Sequence, residues 1–355
     1  MGSVSPLVAI YQELKEQDAN LEILWLGTKN GPEKEFLSGY QIPFKPIINA
    51  KWRQYFSLAN LFTPFFVVLA FIQSFFILSK YKPDAVLTAG SFVAVPVIYA
   101  AAFLGIPRFV HQQDLEVGMA NKLMAKKATA VTVTFSDLAG NFDAKKTFNI
   151  SNPVRKEVFG GNRERAAQFF KLNLNTPTIL IMGGGTGAQF VNDLILQILR
   201  DLIGKYQIIH LTGKGKGISE QFANYFDREI LKLIDERYRS YEFLNTEIFD
   251  AYAIADLILS RAGFSALTEL SVLGKSTILI PLPGHQELNA QYYTKFNAVK
   301  VLNQKDLNKD ILFSAIDHLM QNPAERQTLS RNILTMIDKD AAKRYVDLIY
   351  QAVRK

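Results

Sequence analysis

Short apolar runs alternate with longer amphipathic stretches along most of the chain. Residues 21–26, 43–48, 85–88, 107–110 and 130–134 are apolar enough, and bounded by enough Gly, Pro and Asn, to predict strands. Between them, residues 32–38, 93–104 and 118–126 place apolar side chains at helical spacing, and 4–14 predicts an amphipathic helix before the first strand. A second series opens at 178–182 and continues at 207–211, 241–244, 257–260 and 277–281, with helices between the strands and a helical C-terminal part. Strands alternating with helices predict parallel, doubly wound sheets. Asn152-Pro153-Val154-Arg155 sits between the two series as a linker. The expected fold class is therefore α/β, with two Rossmann-like domains facing across a cleft. Residues 1–153 form one and 154–338 the other, and a helix in 339–355 packs back on the first. Ligands of such sheets bind beyond the carboxyl ends of the strands, at switch points.

Residues 61–79 break the alternation. LFTPFFVVLAFIQSFFILS is almost continuously apolar, and about 20 apolar residues cross a bilayer. Pro64, Gln73 and Ser74 interrupt the run. The strands at 21–26 and 85–88 are expected in one sheet, which a span between them would split across the membrane. A buried helix and an interfacial helix fit better. In the interfacial reading Lys51, Arg53, Lys80 and Lys82 meet anionic lipid at the helix ends.

Length and composition narrow the classes. With 355 residues, 48% of them hydrophobic, the chain can build a core in each of two domains. The absence of cysteine excludes disulfides and thiolate metal sites. Four histidines, His111, His210, His285 and His318, lack metal-ligand spacing, and Asp338-Lys339-Asp340 reads as a solvated helical tail. No metal and no cofactor is expected. The formal charge of +7 suits an anionic partner. Lys and Arg are dispersed and no RNA-binding signature occurs, so a phosphate-bearing substrate and an anionic membrane surface are expected, and nucleic acid is not. No basic segment followed by an apolar one opens the chain, and no strand precedes the first helix. Either the chain starts with a helix, or the natural start lies upstream of Met1.

Three segments carry candidate chemistry. Gly183-Gly184-Gly185-Thr186-Gly187-Ala188 follows a strand and fits G-x-G-x-x-A. A dinucleotide site would want a carboxylate at the end of the next strand, where the chain has His210-Leu211-Thr212-Gly213-Lys214. A P-loop is excluded because no Gly-Lys-Ser/Thr follows. A phosphate-binding turn and a purely structural turn stay open. Arg261-Ala262-Gly263 is a second strand-to-helix turn, whose backbone N–H groups could hold a diphosphate, with Glu269 two turns on to meet ribose hydroxyls. The alternative role of Glu269 is to complement the helix dipole. His285-Gln286-Glu287-Leu288-Asn289 would place Gln286 and Asn289 on one helix face, as amides reading sugar hydroxyls or as parts of a helix cap.

The order and spacing of these segments resemble the MurG-like glycosyltransferases, glycosyltransferase family 28, which have the GT-B fold. Pro83-Asp84-Ala85-Val86 leading to Gly90-Ser91-Phe92-Val93 is similar to the family's PDVV…GGYV. Leu104-Gly105-Ile106-Pro107 with His111-Gln112-Gln113-Asp114 and Asn121-Lys122 is similar to LGIP…HEQN…NK. Asn152 to Arg155 matches NPVR, Arg261-Ala262-Gly263 with Glu269 resembles RSG…E, and 285–289 resembles HQEKN. The resemblance covers nearly the whole chain. It implies an inverting glycosyltransferase that moves N-acetylglucosamine from UDP-N-acetylglucosamine to a polyprenyl-linked muramoyl-pentapeptide acceptor in peptidoglycan synthesis, peripheral at the cytoplasmic face of the membrane. Glu269 would bind the ribose and backbone near Leu244 the uracil. Arg155, Gly185, Thr186 and Gly263 would lie near the diphosphate, and His285, Gln286 and Asn289 would hold the sugar. Gly90, Ser91, Gln112 and Asn121 would line the acceptor side, and 51–82 would meet the membrane. The family opens on a strand and a GGTGGH loop; here Gly2-Ser3-Val4-Ser5-Pro6 stands in register with G-H-V-x-P, so Ser3 takes the place of the His. Gln112 and Asp114 replace the Glu and Asn of HEQN, and Gly185 replaces a Ser. Asp114 becomes the candidate base. Other readings are a related transferase acting on another glycolipid or diacylglycerol, a sugar-nucleotide epimerase, and a non-catalytic UDP-sugar-binding membrane subunit.

Overall fold

The computed structural model describes residues 2–31, 33–48, 59–183, 189–218 and 222–353. Two compact units emerge. One comprises Met1–Arg155 with Asp338–Lys355, the other Lys156–Ile337.

The N-terminal unit starts with α1 (Ser5–Gln17), β1 (Trp25–Thr28), α2 (Glu33–Ser38), β2 (Phe44–Ile47) and the long α3 (Ala59–Tyr81). It continues with β3 (Val86–Thr88), α4 (Ala94–Phe103), β4 (Arg108–Gln112), α5 (Met119–Ala125), β5 (Ala130–Val133) and β6 (Thr147–Asn149). Strands β3-β4-β5-β6 form one parallel sheet in chain order, and β1-β2 form a separate two-stranded parallel sheet. The strands near 21–26 and 85–88 were expected in one sheet, and this is corrected. The β1 ladder is made with β2 alone, beginning at the bond from Trp25 N to the Pro43 carbonyl (2.8 Å). Side chains are nevertheless shared: Leu24, Leu26 and Val86 pack on one cluster around Ile47, Ile77, Leu78 and Val97.

The second unit holds α6 (Arg163–Phe170), β7 (Thr178–Met182), α7 (Gln189–Ile203), β8 (Gln207–Leu211), α8 (Phe222–Tyr225), α9 (Arg228–Arg237) and β9 (Tyr238–Tyr241). It then runs through α10 (Glu247–Ile254), β10 (Leu257–Ser260), α11 (Phe264–Val272), β11 (Thr277–Leu279), α12 (His285–Lys295), β12 (Lys300–Val301), α13 (Lys309–Gln321) and α14 (Pro323–Leu334). Its sheet is parallel, in the order β12-β11-β10-β7-β8-β9. Every residue of β7 is buried, because helices cover both faces of such a sheet, and this is why its sequence is a continuous apolar run. Helix α7 buries Val191, Leu194, Ile195, Ile198, Leu199 and Leu202, the three- and four-residue spacing of one helix face. Each such side chain contributes about 1.5–3 kcal/mol. The strand expected at 241–244 lies at β9, three residues earlier, and Leu244 falls in the following loop.

The last helix, α15 (Ala341–Val353), belongs to the N-terminal unit and packs with α1: Ile10 and Leu14 meet Tyr345, Val346 and Ile349. Its approach is held by Arg344, which donates to Asp338 Oδ2 (2.9 Å) and to the Asn149 carbonyl (3.0 Å). The first unit ends after Arg155, at the end of the expected linker 152–155. Asn152, Pro153 and Val154 are buried, and Asn152 is bonded to His111.

Candidate active site

In the second sheet the strand order reverses between β7 and β10, where 7-8-9 runs one way and 7-10-11-12 the other. That is a topological switch point, the place where open α/β sheets bind ligands. Met182 pairs with Ser260, so β7 and β10 end side by side. Arg261-Ala262-Gly263 follows β10 and leads into α11. Gly263 is the N-cap of α11 and brings no side chain to the helix's first N–H groups, the kind of donors that can hold an anionic phosphate. Gly185 and Thr186 lie outside the described residues.

The other residues expected in the donor half are among the described ones. Asn289 is 1% exposed, and its Nδ2 donates to the Ala262 carbonyl (3.1 Å), which ties α12 to the turn before Gly263. Gln286 Oε1 accepts from Leu282 N (3.1 Å). Glu287 closes the helix start: its carboxylate accepts from Gly284 N, and its own N–H donates to the Gly284 carbonyl, both at 3.0 Å. Gly284 has φ +94°, a backbone that glycine alone adopts readily. The 285–289 segment is thus a capped helix start, with exposed His285 at its first position. Arg261 is buried, and its Nη1 donates to the Ile280 carbonyl (2.8 Å) and Gln304 Oε1 (2.7 Å), so it braces the strand ends. Glu269 is half-buried, and Tyr252 donates to its Oε2 (3.0 Å). Leu244 is buried in the loop that enters α10.

Arg155, which the resemblance assigns to the diphosphate, is the last residue of this stretch of the N-terminal unit. Its guanidinium sits 5.1 Å from the Phe36 ring centroid, and Nη1 donates to the Tyr40 hydroxyl (3.2 Å), both within that unit. Cation–π stacking of this kind anchors Arg155 to α2.

The N-terminal unit gathers Gly90, Gln112 and Asn121. Asn121 Nδ2 donates to Gln112 Oε1 (2.6 Å) and to the His111 carbonyl (3.2 Å), while Gln112 Nε2 donates to the Asp114 and Glu116 carbonyls (2.6 and 3.0 Å). A Cβ on Gly90 would stand 3.4 Å from Asn121 Oδ1. Gly90 and Ser91 both have positive φ, +114° and +78°. Asn121 Oδ1 and Gln113 Oε1 are buried without a hydrogen-bond partner among the described residues, a state that costs about 1–3 kcal/mol per group unless a donor arrives. Asp114 is half-buried in the same loop, and Ser3 lies in the turn before α1. Among the described residues no three His, Cys, Asp or Glu side chains group as metal ligands.

The four-stranded and six-stranded sheets each carry a fully buried, neutral histidine. His111 Nε2 donates to Asn152 Oδ1 (2.9 Å) and Nδ1 accepts from the Thr132 hydroxyl (2.8 Å). His210 Nε2 donates to Asn192 Oδ1 (3.1 Å), and Nδ1 accepts from the Tyr238 hydroxyl (2.8 Å). Asn192 Nδ2 donates in turn to the Thr212 carbonyl (3.0 Å), so this chain joins α7 to the loop after β8. Burial pushes His111 down to about 4 and His210 to about 3. Above pH 6.5 both are neutral whether folded or unfolded. Below 6.5 the unfolded chain takes up protons that the fold refuses, until the folded values are reached. Stability therefore falls as pH falls from about 6.5 toward 4, by about 1.4 kcal/mol per unit per histidine. The thermal midpoint is expected to drop between pH 7.5 and 5, and less steeply in His210→Gln; equal slopes would show that His210 is not the source.

Comparison with known proteins decides the class. The family model of the glycosyltransferase family 28 N-terminal domain matches residues 1–133, and that of its C-terminal domain matches 178–345. The chain belongs to glycosyltransferase family 28. It is 35% identical over 326 residues, 90% of its own length and 88% of the relative's, to a Clostridium perfringens protein named UDP-N-acetylglucosamine–N-acetylmuramyl-(pentapeptide) pyrophosphoryl-undecaprenol N-acetylglucosamine transferase. A Bacillus cereus protein of the same name, numbered 2, is also 35% identical, over 90% of this chain and 89% of its own. The crystal structure of Acinetobacter baumannii MurG superposes with a TM-score of 0.73 at 25% identity, covering 99% of this chain and 96% of that one. A Neisseria meningitidis UDP-N-acetylglucosamine 2-epimerase bound to its sugar nucleotide gives 0.72 at 14% identity over 98% and 96%, a likeness of fold alone. As a member of family 28, the protein is a glycosyltransferase with the two-domain GT-B fold.

Sequence reasoning missed Tyr252, Asn192 and the role of His210. A histidine ending a strand next to a glycine loop was a usable signal for the last. Nothing in the local sequence pairs Tyr252 with Glu269.

Proposed function

We infer that this glycosyltransferase transfers N-acetylglucosamine from UDP-N-acetylglucosamine to a hydroxyl of an N-acetylmuramyl-pentapeptide on pyrophosphoryl-undecaprenol. The observation that carries this reading is the 35% identity to transferases of that name over 90% of the chain. The switch point between β7 and β10 supports the donor half of this reading, with the N-terminus of α11 for phosphate and the carboxylate of Glu269 for ribose. The acceptor hydroxyl attacks the anomeric carbon as a base removes its proton, the new C–O bond forms opposite the departing UDP, and configuration inverts. Helix N-termini take up the charge developing on UDP, a role that needs no metal ion. Asp114, in the loop between Gln112 of β4 and Asn121 of α5, is the candidate base. The unpaired oxygens of Asn121 and Gln113 offer acceptors to a hydroxylated or amide-bearing substrate.

The lipid end of the acceptor calls for a membrane surface, and the exposed apolar residues of α3 support one. Among the described residues no helix is long and apolar enough to cross a membrane. The helix is two-faced. Ala70, Ser74, Ile77 and Leu78 are buried; Ser74 returns its hydroxyl to the Ala70 carbonyl, and Gln73 Oε1 accepts from Ile48 N (2.8 Å). Phe65, Val68, Ile72 and Phe76 are exposed at helical spacing, with Phe65 61% and Phe76 67% accessible. Phe103 of α4, 76% exposed, joins them through an edge contact with Phe75 (5.8 Å). An apolar patch of this kind marks an interaction surface. Lys51 and Arg53 lie outside the described residues; Lys80 and Lys82 are exposed at the C-terminal end. Replacing Phe65 and Phe76 by Ser is expected to weaken binding to anionic vesicles at least tenfold, since burying each ring contributes about 1.5–3 kcal/mol. Unchanged co-sedimentation with phosphatidylglycerol vesicles would remove α3 from this role.

The test of the function is transfer of labelled N-acetylglucosamine from its UDP carrier to the purified undecaprenyl-linked muramoyl-pentapeptide, in buffer containing EDTA. Product with inverted anomeric configuration is expected. Transfer only to a diacylglycerol or another glycolipid would replace the acceptor, and a requirement for added Mg²⁺ would overturn the metal-free step.

A further inference from the structure

We propose that Tyr252 is a positioning residue of the donor site, fixing the Glu269 carboxylate for the ribose of a uridine nucleotide. The proposal rests on the assignment of Glu269 to ribose made above. Tyr252 is 3% exposed and donates its hydroxyl to Glu269 Oε2 at 3.0 Å. A glutamate has three rotatable bonds, and for a half-buried one, as here, a rigid buried donor narrows the orientations it can take. The other carboxylate oxygen then keeps a set direction when a diol arrives, and the ordering entropy is spent in folding rather than in binding.

The support beneath Tyr252 is unusually firm. It rides on α10, a short helix held at three points. Asp250, two residues earlier, accepts from Arg165 Nε (2.6 Å) and Nη2 (2.5 Å) in a fork, and also from Asn162 N (2.9 Å). Asp250 is buried while Arg165 remains open to solvent, so the fork positions α10 more than it stabilises the fold. Lys275 closes the other end, its Nζ donating to the Ala253 and Ala255 carbonyls (3.3 and 3.2 Å). Burial pushes this lysine down to about 8. The loop carrying Leu244 enters the same helix, so α10 couples the segment assigned to uracil with the brace on the ribose carboxylate. The fork and the lysine bring two separate stretches of chain, 162–165 and Lys275, onto the helix that carries Tyr252, beside the switch-point strand β10.

The experiment measures binding of UDP and of 2′,3′-dideoxyuridine diphosphate by calorimetry to the full chain, to Tyr252→Phe, to Glu269→Ala and to the double variant. Tyr252→Phe is expected to weaken UDP about three- to tenfold, the range for a hydrogen bond made to a charged group acting through one intermediary, and to leave the dideoxy probe unchanged. The preference for the intact ribose narrows by the same factor. In the Glu269→Ala background the tyrosine change is expected to add nothing, because it acts through that carboxylate. Equal loss for both probes, or an undiminished effect in the double variant, would mean that Tyr252 serves packing alone and would overturn the proposal. Unaltered UDP affinity in Tyr252→Phe, with Glu269→Ala still impaired, would overturn it too and leave the ribose assignment standing. Unaltered ribose preference in Glu269→Ala itself would overturn both. A thermal midpoint within a few degrees of wild type is the folding control, as expected for an isosteric change.

Discussion

Replacing Glu269 by alanine is expected to weaken UDP-N-acetylglucosamine binding on the order of a hundredfold. A carboxylate that accepts from both hydroxyls of a ribose makes two hydrogen bonds to a charged group, each about 1.5–3 kcal/mol, and about 1.4 kcal/mol is a factor of ten. The side chain is half-buried, so water replaces part of what is lost and the lower end of that range applies. The change also removes the acceptor at Oε2 to which the buried Tyr252 hydroxyl donates. Loss of a hydrogen bond to a charged group costs about 1.5–3 kcal/mol, so a modest fall in thermal midpoint should accompany the loss of binding. Glu269→Gln separates the two effects. The amide keeps an oxygen for Tyr252 but loses the charge, so stability is expected to recover while affinity stays about tenfold down. Calorimetry with UDP-N-acetylglucosamine and a thermal melt on each variant checks both arms. Wild-type affinity in Glu269→Ala would remove the carboxylate from the donor site and return it to helix-dipole complementation.

The parts of the fold legible in the sequence are those where burial leaves one choice. Strands β7, β8 and β10 lie where the apolar runs lie, because a parallel strand covered on both faces must be apolar throughout. Strand β9 was displaced by three residues because Tyr238-Arg239-Ser240-Tyr241 is an edge strand with only its first residue buried, and the apolar signal moved to Phe243 and Leu244. The two-residue β12 and the short β6 carry no periodicity to detect. The interruption of 61–79 by Gln73 and Ser74 was visible, but its resolution was not. Their polar groups turn to the chain itself, one to Ile48 and one to Ala70, and the helix runs on unbroken. At the candidate site, the glycine turn and Glu269 were legible as a strand-to-helix junction followed by a carboxylate. Asn289 was legible as part of a motif, though not as the bond that ties α12 to Ala262. Contacts such as Tyr252 with Glu269, or Arg155 with Phe36, join residues whose neighbourhood is made by topology, and no local spacing foretells them.

Asp114→Asn is expected to lower the transfer rate at least about a hundredfold, the low end of what a general base contributes, with UDP-N-acetylglucosamine affinity unchanged. The two halves of the chain support that division of effects. The donor motifs belong to the second unit, whereas Asp114 follows β4 in the N-terminal unit, among the residues assigned to the acceptor. Its loop is held by backbone: Gln112 Nε2 donates to the carbonyls of Asp114 and Glu116, and Asn121 holds Gln112 in turn. Changing the Asp114 side chain leaves those bonds intact, so a fall in rate would reflect lost proton abstraction rather than a collapsed loop. Ser3 is the rival at the base position by register. A serine hydroxyl is far too weak an acid–base group to serve near neutral pH without a partner, so Ser3→Ala is expected to change the rate by only a few-fold. Single-turnover rates at saturating donor, taken across pH, separate the alternatives. Loss of the acidic limb of the rate profile in Asp114→Asn alone would identify the base. A near-wild-type rate there would move the search to the carboxylates facing the acceptor from outside this loop, and a large loss in Ser3→Ala would put the first turn of the chain at the centre of the chemistry.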